Sequence, residues 1–349
     1  MCIRDRCKTI GITKPLLVTD RGLAKLDITL KTLDLLYKAG LGRSIFSEVD
    51  SNPTEINAFA GIKMFMEGKH DGVIAFGGGS GIDLGKLVAF MIGQKRPIWD
   101  FEDIGNWWTR AETNKIMPII AIPTTAGTGS EVGRASVITN SQTKEKKIIF
   151  HPKFLPKIVI CDPELTFGMP SSITSGTGMD AFAHCLEAYC SPHYHPMSQG
   201  IALEGLKLVK ENLQIVLEDR NNINGSAHMM SAAMMGATAF QKGLGAIHAL
   251  SHPIGAMYNT HHGTTNAVCM PAVLDLNASK ISQRFDQVAG YIGIQNGFKG
   301  FCTFVREFNA SLKIPMNLSD LGVVNADVEK LTQAALKDPS CGGNPIDLY

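Results

Sequence analysis

Strand-like apolar runs stop at Asp162, and that single change of character constrains the fold more than any motif. Upstream, short apolar runs alternate with helical stretches. "PLLVTD" (15–20) precedes a segment, 22–39, in which Leu23, Leu26, Leu30, Leu33 and Leu36 recur at helical spacing. "SIFSEVD" and "NPTEINAFAGIKMFMEG" repeat the pair, as do "GVIAFGGGS" and "GIDLGKLVAFMIG", before "IMPIIAIPTTAGTGSE" and "KIVICDPEL" close the half. Continuous apolar strands separated by helices predict a parallel sheet covered on both faces. Downstream, the pattern is helical alone, over 173–190, 196–219, 225–242, 246–259, 279–291, 300–312 and 325–337. The sequence therefore predicts an α/β domain over 1–162 and an all-α domain over 163–349. The Met- and Ala-dense "MMSAAMMGATAF" reads as bundle core.

Composition narrows the function classes. With 33 basic and 32 acidic residues the net charge is +1, which favours neither a nucleic acid nor a membrane surface as partner. Eight cysteines without a CxxC pair fit a reducing compartment, so a cytoplasmic location is expected. No apolar run has the length of a membrane span and no secretory segment is visible. The opening "MCIRDR" back-translates into a sequence resembling a library adapter, so residues 1–6 are left out of the fold reasoning and elements preceding "CKTIGITK" are expected to be missing.

Three loops bear the marks of a nucleotide site. In "GVIAFGGGSGIDLGK", Gly77, Gly78, Gly79 and Ser80 lie between a strand and a helix, where bare backbone and a helix N-terminus suit a pyrophosphate. The spacing matches neither GxGxxG nor a P-loop, and a structural turn would use the same glycines. Asp20 ends the first strand, where a carboxylate accepts both hydroxyls of an adenine ribose and repels a 2′-phosphate; read alone, it is better explained as a helix cap. "IPTTAGTGSE" sets Thr124, Thr125, Thr128 and Ser130 at a strand's C-terminal end, suited equally to a ligand or to turn capping.

Histidines concentrate in the second half. Asp180 and His184 are four apart in "MDAFAH", and His248 and His252 are four apart in "HALSH", so each pair shares a helix face. The HxxxH spacing suggests a zinc protease, but Ala249 stands where that motif requires Glu. His262, beyond the turn "NTHHG", is placed to fold back on the same face.

Together, "IVICDPELTFGMPSSITSGTGMDAFAHCLEAY", "GLGAIHALSHPIGAMYNTHHG", "GGGSGIDLGK" and "IPTTAGTGSE", in that order, resemble the iron-containing (group III) alcohol dehydrogenase family over nearly the whole chain. The resemblance implies a dinucleotide-binding domain, a helical metal domain of the dehydroquinate synthase-like kind and a cleft between them. It implies an NAD-dependent dehydrogenase or aldehyde reductase for small alcohols or hydroxy acids, assembled as a homodimer or larger oligomer. It puts metal ligands at Asp180, His184, His248 and His262, and a proton-relaying histidine at His252. It puts cofactor contacts at Gly78, Gly79, Ser80, Asp83, Thr124, Thr125, Thr128 and Lys146, with Asp20 favouring NAD over NADP. One carboxylate and three neutral imidazoles leave a divalent ion with net positive charge and an open position. Iron is the family expectation, and Zn²⁺ binds such ligands more tightly by intrinsic affinity. A dehydroquinate synthase-like lyase needs many Lys and Arg around its substrate, which these motifs do not supply. An inactive homologue is disfavoured by the complete Asp-His-His-His set, although the family ordinarily has more chain at both ends.

The remaining candidates receive structural readings. His261 is expected to sit beside the ligands or on the surface, His193 and His195 in a solvated turn, and His70 on the surface. Cys185 is expected in the core, and Trp107 and Trp108 beneath a loop. Arg134 suits either an anionic substrate group or a surface ion pair.

Overall fold

The structure is a computed structural model that describes residues 3–349. It divides into two compact units. One runs to Thr124 and resumes over Ser130–Leu165; the other comprises Thr125–Gly129 and Thr166–Tyr349.

The first unit contains α1 (Ile3–Thr9), β1 (Pro15–Asp20), α2 (Asp27–Lys38), β2 (Ile45–Val49), α3 (Glu55–Gly68), β3 (Gly72–Gly77), α4 (Gly79–Met91), β4 (Ile119–Pro123), β5 (Ala135–Thr139), β6 (Lys146–Phe150) and β7 (Ile158–Val159). Five strands form a parallel sheet in the order β2-β1-β3-β4-β7. The central strands are apolar without interruption because both faces are covered. Alternate residues feed opposite cores: Leu16, Val18, Val73, Ala75, Ile119 and Ala121 face one, while Leu17, Ile74, Phe76, Ile120 and Ile122 face the other. Helix α4 lies close on the sheet because Gly85 sits against Ala75, where an added Cβ would come within 2.7 Å of the Ala75 Cβ. Strand order reverses between β1 and β3, the position at which open α/β sheets form a crevice beyond the strands' carboxyl ends.

Local departures from the sequence reading have physical causes. The helix expected over 22–39 breaks at Leu26, which is extended; Leu23–Lys25 form a separate 3-10 turn and α2 starts at Asp27. Strands β5 and β6 form an antiparallel hairpin that the parallel-sheet reading did not include. They are only half-buried and end in Lys-rich chain, so their apolar signal is weak. The turn between them is held by Asn140, whose Oδ1 accepts from the Gln142 and Thr143 amides at 2.9 and 3.1 Å. Residues 3–6, set aside as adapter-like, form the first part of α1, with Ile3 and Cys7 in the core. His70 is not on the surface: it is buried, its Nδ1 lies 3.0 Å from the Lys14 carbonyl oxygen, and desolvation pushes its pKa down.

The second unit is helical: α5 (Ser171–Cys190), α6 (Pro196–Glu218), α7 (Ile223–Ala239), α8 (Ala246–Tyr258), α9 (His262–Tyr291), α10 (Gly297–Ser311) and α11 (Val328–Leu336). Helix α5 is its axis, packed by α6, α7 and α9 and buried on every side from Ser175 to Cys190. Its C-terminal carbonyls are held by two cations. The Lys242 ammonium donates to the Ala188, Tyr189 and Ser191 carbonyls at 3.0, 3.1 and 2.7 Å, and Arg284 donates to Tyr189 at 2.8 Å. Desolvation brings Lys242 down to about 8. Helix α9 is much longer than the segment 279–291 read from the sequence, because it begins at His262 and runs through Pro271 rather than ending there. The segment Thr125–Gly129 belongs to this unit because Gly127 lies on the Thr177 backbone and Gly129 on that of Ala233.

Candidate metal centre and cofactor loops

A buried axis helix has no place for charge unless the charge has partners. Helix α5 nevertheless carries Asp180, His184 and Glu187, all buried, on one face at spacings of four and three. Helices α8 and α9 bring the remaining histidines to that face. The His262, His184 and His248 Nε2 atoms lie 3.5, 3.8 and 3.9 Å from Asp180 Oδ1. Ligands about 2.0–2.2 Å from a common ion are separated from one another by about 3–3.5 Å, so these separations are close to those of a coordination shell. Asp180, His248 and His262 form the tightest set, all three ligand atoms within 4.8 Å of one another. His184 joins through Asp180, its ring stacked on His248 at 4.7 Å.

Close approach of two helices makes this convergence possible. Gly263, in the first turn of α9, lies directly on the Gly176 carbonyl of α5; an added Cβ would strike that oxygen and come within 2.9 Å of the Asp180 Cβ. His261 caps α9, its Nδ1 accepting from the Thr264 amide at 3.3 Å, and its ring packs on Gly176. It is a positioning group for the helix that carries His262.

The donor set fits a divalent cation. Glu187 Oε2 lies 2.6 Å from His248 Nδ1, so Nδ1 carries the proton and the lone pair of a neutral ring is on Nε2, toward Asp180. Burial works against a charged His248, yet Glu187, Asp180 and Asp338 outweigh it and raise the pKa; a bound cation would take that proton's place. Desolvation, only partly offset by Asp180, drops His184 to about 4, leaving the neutral imidazole that ligates. The Asn266 amide nitrogen lies among these acceptors, 2.8 Å from Asp180 Oδ1 and 3.2 and 3.3 Å from the His248 and His262 Nε2 atoms.

The sequence reading named Asp180, His184, His248, His252 and His262, and the structure brings all five together. It missed Glu187, Asn266 and Asp338. Glu187 follows Asp180 by two helical turns and Asn266 follows His262 by one, so spacing alone would have signalled both. Asp338, whose Oδ2 lies 2.8 Å from His252 Nδ1, carried no such signal.

In the first unit, Asp20 ends β1, Gly77 ends β3 and Thr124 follows β4, at the carboxyl ends of neighbouring strands. Asp20 does cap the following turn, Oδ1 accepting from the Gly22 and Leu23 amides at 2.8 and 2.9 Å; Oδ2 is turned toward Gly77. Gly77 has φ +140°, a conformation open to glycine. Gly78 is the cap residue of α4 and supplies no side-chain cap, so its first-turn amides at Gly79 and Ser80 are ready for an anion. The Ser80 hydroxyl donates to the Ser51 carbonyl at 2.7 Å. Thr124 is buried and donates its amide to the Gly77 carbonyl at 2.9 Å, tying the two loops. Lys146 opens β6.

Asp83 is differently disposed from a direct phosphate contact. Its Oδ1 accepts from the Ser130 hydroxyl and pairs with the fully buried Lys86 at 3.0 Å, while Oδ2 accepts from the Val137 amide at 2.9 Å. Lys86 also donates to the Ser130 carbonyl at 3.0 Å. Asp83 and Lys86 therefore hold the glycine-loop helix to the second loop. Glu131 is buried beside them, and desolvation raises its pKa to about 7.

Among the other candidates, His195 caps α6 and Cys185 is fully buried, its thiol pushed up to about 12. Trp107 lies under the Arg110 guanidinium at 4.0 Å, and Trp108 meets His151 edge-on. Arg134 is exposed, with its guanidinium 5.4 Å from the Phe150 ring centroid.

Known proteins resemble this chain over nearly its whole length. The model of the iron-containing alcohol dehydrogenase family matches residues 2–163, and that of the family's C-terminal domain matches 174–349. The chain is 38% identical to 4-hydroxybutyrate dehydrogenase of Cupriavidus necator, over 98% of this chain and 91% of the relative. A crystal structure of 1,3-propanediol oxidoreductase superposes with a TM-score of 0.93 at 33% identity, covering 99% of this chain and 91% of that one. Sulfoacetaldehyde reductase of Bifidobacterium kashiwanohense, solved in complex with NAD+, superposes with a TM-score of 0.89 at 26% identity, covering 99% and 90%.

Proposed function

The chain belongs to the iron-containing alcohol dehydrogenase family, and from that premise we propose how its residues divide the work of an NAD-dependent alcohol dehydrogenase or aldehyde reductase. The observation that carries the proposal is the convergence of three histidine Nε2 atoms within 3.5–3.9 Å of Asp180 Oδ1 in a buried setting. Asp180, His184, His248 and His262 hold a divalent metal, iron by family and zinc as the competitor. Bound there, the ion supplies Lewis acidity toward the oxygen of an alcohol or aldehyde.

The chain's own groups do the rest. Glu187 keeps the His248 proton on Nδ1, and Asn266 holds Asp180 in place. Burial of Asp180, His184 and His248 shields three of the four ligands from water. His252, stacked on His262 at 5.3 Å, carries the hydroxyl proton outward as hydride passes to or from the nicotinamide. NAD takes its pyrophosphate at the amides of Gly78, Gly79 and Ser80, and Asp20 Oδ2 accepts from the adenine ribose, disfavouring the 2′-phosphate of NADP. Thr124, Thr125, Thr128 and Lys146 complete the cofactor's surroundings, with Asp83 acting through the loops it joins.

The substrate is a small alcohol or hydroxy acid. The protein works in the cytoplasm as a homodimer or larger oligomer. In support of an intracellular setting, no disulfide occurs among the described cysteines; separately, no described helix is long and apolar enough to cross a membrane. The test is NADH-linked aldehyde reduction before and after chelation, with a panel of short alcohols, diols and ω-hydroxy acids. Activity should disappear with the metal and return with Fe²⁺ or Zn²⁺. Full activity in metal-free protein would overturn the proposal.

A further inference from the structure

Two histidines one turn apart on α8 are held in the same way by carboxylates from different parts of the chain. Glu187 of α5 takes the Nδ1 of His248 at 2.6 Å, and Asp338 takes the Nδ1 of His252 at 2.8 Å. Asp338 lies just beyond α11, at the cap of the short turn Pro339–Gly343, and both of its oxygens are committed. Oδ1 accepts from the Ser340 amide at 2.8 Å, while Oδ2 faces His252. Against the upward push of burial, the His252 and Ser340 bonds hold this carboxyl below its usual pKa, so it is an acceptor.

The far end of the same turn grips the other end of α8. Asn344 Oδ1 accepts from the Ala246 amide at 3.2 Å and from Asn277 Nδ2 at 3.0 Å, and Asn344 Nδ2 donates to Asn277 Oδ1 at 2.9 Å. The adjacent Ile247 amide donates to Glu187 at 2.6 Å. The turn 338–344 therefore spans α8 from its first amides to His252.

We propose that Asp338 is a positioning residue for the reaction: it fixes His252 as the Nδ1–H tautomer, so that the ring presents the Nε2 lone pair on the side away from the C-terminal turn. This rests on the proton-carrying role given to His252 above. A ring that must accept a proton on one nitrogen works only if the other nitrogen already carries one. His252 is 9% exposed, so water does not offer Nδ1 an equivalent partner if the carboxylate is lost.

The bond from Ser340 makes the idea sharply testable. In Asp338→Asn the amide oxygen is required opposite the Ser340 amide, so the NH2 must face His252. That group can only donate, and Nδ1 must become the acceptor. The substitution keeps the shape of the side chain and the cap of the turn while reversing the tautomer.

The experiment uses zinc-loaded protein labelled with 15N-histidine, with His252 assigned by difference against His252→Gln. The expected result is an Nδ1–H ring in the unaltered protein and an Nε2–H ring in Asp338→Asn, with zinc content unchanged. With Zn²⁺ as the metal, kcat should fall by about 10²-fold in Asp338→Asn while KM for NADH changes little. Asp338→Ala, which removes the amide donor, should leave a mixture of tautomers and a smaller fall in kcat. An Nδ1–H ring persisting in Asp338→Asn overturns the inference whatever the activity. A reversed tautomer with unchanged kcat also overturns it, and in that case the failing premise is His252 as proton carrier.

Discussion

The candidate sites of the two units are built in opposite ways. At the carboxyl ends of β1, β3 and β4, the candidate cofactor loops offer mainly backbone: glycines, uncapped amides of α4 and short hydroxyls. In the helical unit the candidate metal centre is all side chain, with each imidazole aimed by another group or by packing. Backbone sites depend on where the chain turns, and they tolerate changes that leave the turn intact. Side-chain sites depend on lone pairs and protons being on the correct atoms, and they fail when a single partner is exchanged.

The largest expected effect sits in the helical unit. His248→Ala should remove the metal and reduce aldehyde reduction by about 10³-fold, the equivalent of ~4 kcal/mol. Retained metal content with normal activity would remove His248 from the ligand set. Glu187→Gln tests whether aim matters as much as ligation. The Ile247 amide needs the remaining oxygen, which turns the NH2 toward His248. Metal affinity, measured by competition with a chelator, should weaken by about 10–100-fold without unfolding; unchanged affinity would mean that Glu187 is only packing.

Gly263→Ala probes the close approach that joins α9 to α5. The added methyl has no room against the Gly176 carbonyl, so the protein should lose about 1–3 kcal/mol of stability and bind metal more weakly. Thermal unfolding with and without metal separates the two losses, and a silent substitution would show that the approach is not needed.

The backbone-dominated site should yield smaller effects. Asp20→Gly removes the carboxylate near the ribose and should shift the ratio of NAD to NADP efficiency by about 10-fold toward NADP, alongside a capping loss of about 1 kcal/mol. An unchanged ratio would leave Asp20 as a cap alone.

Glu131 gives the smallest effect per pH unit. Burial lifts its folded pKa to about 7, above the ordinary value of 4.5. Between those values the unfolded chain has released this proton and the folded chain retains it. The group's contribution to stability is therefore complete below pH 4.5 and is lost as pH rises toward and through 7, at no more than about 1.4 kcal/mol per pH unit. Glu131→Gln should flatten that slope in metal-free protein; an identical pH profile would show that Glu131 keeps its ordinary pKa.

Much of the molecule was legible beforehand, because local pattern controls it. Uninterrupted apolar runs fixed β1, β3 and β4 as strands buried on both faces, and the glycines after β3 marked the loop. Helical spacing paired Asp180 with His184 and His248 with His252. Pattern failed where local and tertiary preferences disagree. The stretch 260–278 carries no helix in the sequence reading, yet α9 begins at His262 and runs through Pro271. His70 reads as surface, yet Phe65 and the Lys14 carbonyl enclose it.

The sequence by itself determined which residues are chemically able to serve: Asp180 and the histidines as ligands, Gly77–Ser80 as an anion cradle, Asp20 as the acid beside it. Spacing along one helix reaches only that helix's own face, however. That α5, α8 and α9 meet at a single point, and that Glu187 and Asp338 set the protons of His248 and His252 from 61 and 86 residues away, was decided by tertiary packing alone. The physical reason is that a lone pair is useful only where it points, and that direction is set by neighbours that no local pattern names.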